Sequence, residues 1–124
     1  MLTFLTGGGG NTNYWHWMFD VLPRIKIYQD SIFSKKKIDY YLFPNLSTNF
    51  QKETLDLLDI SINKRLSSEF YRHFYADQII ITSHPYALQN DPELDSLKIP
   101  IWLSDFLKLN FLNKCLQESK IKKF

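Results

Sequence analysis

A histidine, an aspartate and an arginine recur at four-residue intervals near the start of this 124-residue chain, as His16, Asp20 and Arg24. On an α-helix this spacing places the three side chains on one face, one turn apart. A carboxylate that hydrogen-bonds one ring nitrogen of a histidine fixes the tautomer and raises the basicity of the other nitrogen. The pair His16–Asp20 could therefore act as a general base that takes a proton from a hydroxyl group.

The same residues also have a structural interpretation. His16 lies in an aromatic-rich segment, where a helical histidine can be a packed residue with one satisfied nitrogen. Arg24 could be an exposed charge or could pair with a carboxylate or phosphate. His73 is expected in a partly exposed aromatic cluster, whereas His84 follows a predicted strand and could be structural or functional.

All four glycines of the chain stand together at 7–10, directly before this segment. The predicted order is a strand, then the glycine loop, then the start of a helix. This arrangement could present free amides and the positive end of the helix dipole to a phosphate, a carboxylate or a sugar, and Gly9 and Gly10 would contact that ligand. The run could equally be a flexible turn. It does not match the dinucleotide fingerprint, whose third glycine would fall at Thr12, or the P-loop, which needs a lysine after its last glycine.

The elements that must position these residues alternate along the chain. Strands are predicted at 1–6, 38–43, 66–70 and 79–82, and helices at 14–32, after Ser47 or Thr48, and at 101–117. Strands separated by helices favour parallel pairing, so we expect an α/β fold, a Rossmann-like layered lobe with a mainly parallel sheet. Ligands bind at the carboxyl ends of such strands, where the glycine loop, Ser83 and His84 are expected to lie.

Each predicted helix carries local signals. Asn11 or Asn13 can cap the first helix, and Pro23 should interrupt it near 19–23 because proline cannot donate the helical hydrogen bond. In the second helix we expect an inward face formed by Phe50, Thr54, Leu57 and Leu58. The outward face is expected to hold Gln51, Lys52, Glu53 and Asp56. In the last helix the inward side is expected to hold Leu103, Phe106, Leu107, Asn110, Phe111 and Leu112.

The composition limits the classes of function. With 15 basic and 13 acidic residues the net charge is +2, which argues against a nucleic-acid partner. The lysines at 35–37 and at 120–123 are interpreted as a solvated turn and tail. The single cysteine, Cys115, excludes an internal disulfide and is interpreted as a core residue. No cluster of histidines, cysteines or carboxylates has the spacing of metal ligands, so no metal site is predicted.

No signal peptide and no membrane-spanning segment can be recognised in the sequence. The expected location is therefore the cytoplasm, or the periphery of a membrane if the source is microbial.

The segment 13–24, with the sequence Asn-Tyr-Trp-His-Trp-Met-Phe-Asp-Val-Leu-Pro-Arg, resembles the signature Asn-x-x-His-Trp-x-x-Asp/Glu-x-x-Pro-Arg of glycosyltransferase family 61. The similarity continues in the same order at 38–43, 57–60 and 75–83. It covers nearly the whole chain, and its specific part is the His-Trp to Pro-Arg segment.

This resemblance implies a two-lobed GT-B enzyme that transfers a sugar from a nucleotide-sugar to a glycan or protein acceptor with inversion. Residues 1–124 would be the acceptor-side, amino-terminal lobe, and a further lobe would bind the donor diphosphate. His16 and Asp20 would be catalytic, Asn13 and Arg24 would bind substrate, and the nucleotide-sugar would be a substrate with no separate cofactor. The glycine run departs from the shorter glycine–asparagine lead-in of the family.

Two alternatives belong to other classes. The chain could be a truncated, non-catalytic module that binds carbohydrate, or a small α/β module that binds phosphate through the glycine loop. A lobe separated from its partner would also expose apolar surface, with Trp102, Phe106 and Phe111 as candidates, and we expect it to self-associate.

Overall fold

A computed structural model describes residues 1–6, 12–86 and 99–121, with side chains to residue 117. Its strands are β1 (Leu2–Thr3), β2 (Tyr41–Phe43), β3 (Arg65–Ser67) and β4 (Ile80–Ile81). Its α-helices are α1 (Tyr14–His16), α2 (Arg24–Gln29), α3 (Asn49–Leu57), α4 (Ile101–Leu107) and α5 (Asn113–Ile121). Trp17–Val21 and Lys108–Leu112 form π-helical turns, and Ile62–Lys64 forms a 3₁₀ turn.

The four strands form one parallel sheet in the order β3-β2-β1-β4. Leu2 of β1 is in register with Tyr41 of β2 on one side and with Ile80 of β4 on the other. This arrangement confirms the predicted α/β fold with a parallel sheet. The central position of β1 also explains why such a short strand holds the sheet together, since it has hydrogen-bonded neighbours on both sides.

The strands differ in detail from the sequence-based prediction. The segment 79–82 is not the buried strand that its apolar composition predicts, because Ile79 is 49% exposed and Ile81 is 75% exposed. β4 lies at an edge of the sheet, so only one of its sides is paired among the described residues. The strand predicted at 66–70 is shifted to β3, and the N–H of Phe70 instead closes a turn onto the carbonyl of Ser67 at 3.1 Å.

The first helical segment, 14–29, begins where the sequence predicts. Asn13 is its N-cap, because the Oδ1 atom of Asn13 accepts from the backbone N–H of His16 at 3.2 Å. The other candidate cap, Asn11, lies outside the described residues. The cap fixes the start of the helix three residues before His16.

Pro23 interrupts this segment as predicted. It has no N–H to donate to the carbonyl of Phe19, and the preceding turn is π-helical, with the N–H of Leu22 donating to the carbonyl of Trp17 at 3.0 Å. A second α-helix, α2, then continues to Gln29, so the segment ends about one turn earlier than the predicted residue 32.

The lysines at 35–37 are exposed in the turn after α2, which confirms their predicted place. The hydroxyl of Tyr28 donates to the carbonyl of Lys36 at 2.7 Å and so holds this turn against α2.

The helix α3 begins after Thr48 as predicted, and the Oε1 atom of Gln51 accepts from the backbone N–H of Thr48 at 3.0 Å. The outward orientation predicted for Gln51 is wrong, because this side chain is fully buried and also donates to the carbonyl of Asn45. Leu55 is the fully buried leucine of α3. A polar side chain can occupy the core when its hydrogen bonds are satisfied there, and composition alone does not reveal that.

The last helical segment is amphipathic only in its first half. Leu103, Phe106 and Phe111 are buried as predicted, whereas Leu112 is exposed. The interpretation of Cys115 as a core residue is wrong, since it is also exposed. Leu112, Cys115 and Leu116 are all exposed, so the buried face of this helical segment ends at Phe111.

The apolar surface of the protein is not where the sequence suggests. Phe106 and Phe111 are buried and Trp102 is half-buried, so the two phenylalanines do not form the expected exposed face. Phe70 and Tyr75 are instead largely exposed. Self-association stays a prediction.

Within the described ranges, no helix has both the length and the apolar character needed to cross a bilayer.

The core is centred on Trp17, which is fully buried. Its ring lies 5.9 Å from that of Phe43, which in turn stacks on Phe4, the residue directly after β1, at 4.7 Å. The indole Nε1–H donates to the hydroxyl of Thr54 in α3 at 2.9 Å. This hydrogen bond joins the first helical segment to α3 and satisfies the one polar atom of the indole.

Replacing Thr54 by Val should lower the free energy of unfolding by about 1–3 kcal/mol, because it leaves the buried indole N–H without an acceptor. Urea denaturation measures the change. Thr54→Ser is the matched control, since it keeps the hydroxyl and should retain most of the stability. A loss of stability in Thr54→Ser that is absent in Thr54→Val would show that the methyl group, not the hydrogen bond, is the stabilising element.

Tyr41 predicts a second effect, on stability in alkali. Burial, and to a smaller extent the nearby Tyr28, raises the pKa of Tyr41 above its ordinary value. The folded protein therefore holds a proton that the unfolded chain releases near pH ~10. The resulting contribution to stability is complete below that pH and is lost as the pH rises through the raised folded-state pKa.

The free energy of unfolding should thus fall with rising pH above about 10, and less steeply in Tyr41→Phe. Chemical denaturation at several alkaline pH values measures the slope. The adjacent Tyr40 is 49% exposed, so Tyr40→Phe is the control and should keep the slope of the original protein. A slope unchanged in Tyr41→Phe would contradict the assignment.

Candidate functional site

The candidate site lies where the strand order reverses. The chain adds β2 and β3 on one side of β1 and then adds β4 on the other side. In open parallel sheets, the crevice outside the carboxyl ends of two such strands is where ligands bind. Thr82 directly follows β4 and contacts Arg24, so the first helical segment packs against this end of β4.

His16 and Asp20 form the predicted pair. Nδ1 of His16 lies 2.5 Å from Oδ2 of Asp20. The histidine side chain is 39% exposed, whereas the aspartate side chain is only 12% exposed. In neutral His16 the bond to an ionised Asp20 requires the proton on Nδ1, and Nε2 is then an acceptor. Among the described residues Nε2 has no hydrogen-bond partner, so it is available to a ligand.

The second carboxylate oxygen of Asp20 is also engaged. The hydroxyl of Tyr86 donates to Oδ1 of Asp20 at 2.6 Å. Nε2 of His84 lies 3.7 Å from the same oxygen, and the rings of His84 and Tyr86 meet edge to face at 4.5 Å. Asp20 is thus held from both sides, by the first helical segment and by the segment that follows β4. Such second contacts fix the orientation of the carboxylate and, through it, that of His16.

Arg24 connects the same two parts of the chain. Its Nε–H donates to the carbonyl of Asp20 at 2.8 Å, and its Nη1 lies 3.3 Å from the carbonyl of Thr82. Arg24 is buried, and this burial lowers the pKa of its guanidinium, while Asp20 opposes the shift. The charge persists at neutral pH because the guanidinium is a very weak acid. Of the two roles open in the sequence, the exposed charge is excluded. The described hydrogen bonds of this buried cation go to two backbone carbonyls and to the hydroxyl of Thr82, so its pairing with a carboxylate or phosphate stays a prediction.

Aromatic rings border the exposed side of His16. Trp15 stacks on Phe19 at 4.9 Å and meets the His16 ring edge to face at 5.2 Å. Trp15 also lies 6.4 Å from the ring of Tyr86. Trp15, itself packed against Phe19 and near Tyr86, thus covers part of the His16 imidazole.

The other predicted site residues have different positions. Asn13 caps the helix that carries His16, which is a positioning contact. Ser83 is exposed and lines a cleft beside His84. Gly9 and Gly10 lie outside the described residues, so the phosphate hypothesis for the glycine loop is not addressed. His73 is exposed, in agreement with the structural interpretation of this histidine.

Tyr86 was not predicted as a site residue. It is 66 positions from Asp20, and no local spacing in the sequence connects the two. The available signal was indirect, since Tyr86 follows a predicted strand whose carboxyl end should meet that of β1.

Within the described part of the chain, no three histidines, cysteines or carboxylates are close enough to hold a metal ion.

The geometry predicts the tautomer of neutral His16, with the proton on Nδ1. Long-range proton–nitrogen correlation spectra of the labelled protein would show Nδ1 as the protonated nitrogen and Nε2 as the acceptor. In Asp20→Asn this preference should be lost, while Tyr86→Phe keeps the Asp20–His16 bond and should keep the preference. An Nε2-protonated His16 in the original protein would contradict the geometry.

Comparison with known proteins identifies no relative of this chain. No family model, curated protein or solved structure matches the chain. Membership of glycosyltransferase family 61 therefore stays a prediction from the segment 13–24. The features established for the site are its position at the β1–β4 boundary and the contacts of His16, Asp20, Arg24, His84 and Tyr86.

Proposed function

We propose that this chain is the acceptor-side lobe of an inverting glycosyltransferase, with His16 as the general base. The enzyme would transfer a sugar from a nucleotide-sugar to a hydroxyl group of a glycan or protein acceptor. The observation that carries the proposal is the His16–Asp20 pair, in which a buried, doubly held carboxylate binds one nitrogen of a histidine whose other nitrogen is open to a ligand.

The chemistry of inversion needs a single base on the acceptor side. The acceptor oxygen would form a bond to the anomeric carbon as the bond from that carbon to the nucleoside diphosphate breaks. The proton of the acceptor hydroxyl would pass to Nε2 of His16, and the electron pair would leave with the diphosphate. Asp20 would stabilise the imidazolium that results, as an oriented carboxylate does in other histidine bases.

The strand order and the parallel pairing of the sheet also support this proposal. The strand order β3-β2-β1-β4, with all strands parallel, is compatible with one Rossmann-like half of a GT-B enzyme. The sugar-transfer site would lie at the carboxyl edge of β1 and β4, where Asp20 meets Tyr86 and His84.

The donor diphosphate would need cations from elsewhere. Arg24 is buried and already donates to the carbonyls of Asp20 and Thr82, so it is better suited to bracing the site than to binding a phosphate. We therefore propose that a second lobe supplies the donor-binding cations. A direct contact between Arg24 and substrate remains a prediction from the resemblance.

Replacing His16 by Ala should reduce transfer by about 10²–10⁴-fold, the usual contribution of a general base. The assay is release of nucleoside diphosphate from a panel of nucleotide-sugars with glycan and peptide acceptors, using the chain together with its second lobe. His73→Ala is the matched control, because His73 is an exposed histidine with no described contact to His16 or Asp20. It should leave the rate unchanged.

Asp20→Asn should lower the rate as well, because an amide cannot stabilise the imidazolium as a carboxylate does. Circular dichroism would show whether each variant keeps its fold. Turnover retained in a folded His16→Ala variant would remove His16 from the mechanism. Loss of turnover in His73→Ala to the same extent would show that the assay reports stability and not catalysis.

A further inference from the structure

A second feature of the site is a cleft on the far side of His84. It has a volume of about 370 Å³ and lies between α2, α4 and the segment 83–85. Small-molecule sites usually have volumes of about 300–1,000 Å³, so the cleft is large enough for one small ring. The described residues that line it are Lys26, Ile27, Asp30, Ser83, His84, Pro85 and Trp102.

The polar groups of the cleft are balanced in charge. Nζ of Lys26 lies 2.9 Å from Oδ1 of Asp30, and both side chains are substantially exposed. The two charges of this pair offset each other, so among the described lining residues the Lys26 cation is not left unpaired for a phosphate or carboxylate. Lys26 supplies hydrogen-bond donors, Asp30 supplies acceptors, and the exposed hydroxyl of Ser83 can do either.

The apolar part of the cleft is provided by Ile27, Pro85 and the half-buried indole of Trp102. A ligand that suits this lining needs C–H surface for the apolar residues and groups that can both donate to Asp30 and accept from Lys26. Hydroxyl groups on a saturated ring meet both requirements at once, because each hydroxyl is a donor and an acceptor.

We propose that this cleft binds a neutral, polyhydroxylated ring of the pyranose class, with Trp102 against its apolar surface and Lys26, Asp30 and Ser83 at its hydroxyl groups. His84 joins the cleft to the catalytic pair, because it lines the cleft and its Nε2 lies 3.7 Å from Oδ1 of Asp20. The binding of the ring follows from the cleft itself. Its further role, as the sugar unit of the acceptor next to the reacting hydroxyl, rests on the proposed function.

The binding can be tested on the whole chain by titration with methyl β-D-glucopyranoside, followed in proton–nitrogen correlation spectra. The signals expected to move are the indole N–H of Trp102 and the amides of Ser83 and His84. Trp102→Ala should weaken binding by about tenfold or more, equivalent to about 1.4 kcal/mol. Tyr75→Ala is the control, because Tyr75 is an exposed aromatic residue that is not among the described residues lining the cleft, and it should leave the affinity unchanged.

Asp30→Asn provides a second test that does not depend on a half-buried residue, since Asp30 is an exposed side chain and its loss should not disturb folding. It should also weaken binding, whereas Asp77→Asn, at an exposed position outside the cleft, should not. Saturation without movement of the Trp102 and Ser83 signals, or loss of binding in Tyr75→Ala but not in Trp102→Ala, would overturn the assignment. Inorganic phosphate that moves these signals when the glucoside does not would overturn the neutral-ring chemistry.

The two proposals fail separately. If the glucoside binds in the cleft while His16→Ala retains full transfer, the cleft assignment stands and the catalytic role of His16 falls. If His16→Ala loses transfer while neither Trp102→Ala nor Asp30→Asn changes binding of the glucoside or KM for the acceptor, the catalytic role stands and the cleft assignment falls.

Discussion

The carboxylate of Asp20 is the group on which the arrangement of the site depends. It is nearly buried, and a buried carboxylate is destabilising unless each oxygen finds a partner. One oxygen binds His16 and the other accepts from Tyr86, so satisfying this one side chain brings together two segments that are distant in the sequence. Among the described residues, His16 then has one engaged nitrogen and one nitrogen without a partner, which is the state required of a base.

The break in the first helical segment serves this arrangement. Pro23 and the π-helical turn before it end the regular helix at the level of Asp20, and the carbonyl of Asp20 accepts from the Nε–H of Arg24. Arg24 then reaches the carbonyl of Thr82 at the end of β4. Because β4 pairs directly with the central strand β1, this cation connects the first helical segment to the sheet.

The site and the adjacent cleft share His84, and this gives the proposed functions a common physical basis. The open nitrogen of His16 would receive a proton, and the cleft would hold the ring whose hydroxyl gives it up. Each role uses groups suited to it. The buried carboxylate of Asp20 has its hydrogen bonds fixed within the protein, whereas the Lys26–Asp30 pair is exposed and can exchange its water for the hydroxyl groups of a ligand.

The sequence by itself determined the local features: the cap at Asn13, the one-turn spacing of His16 and Asp20, the interruption at Pro23 and the alternation of strands and helices. These depend on residues a few positions apart, for which helix geometry is sufficient. The burial of Gln51, the exposed edge of β4, the exposure of Cys115 and the partnership of Tyr86 with Asp20 were decided only by the tertiary structure. Each depends on which segments become neighbours, and the order of strands in a parallel sheet is not encoded in any local spacing.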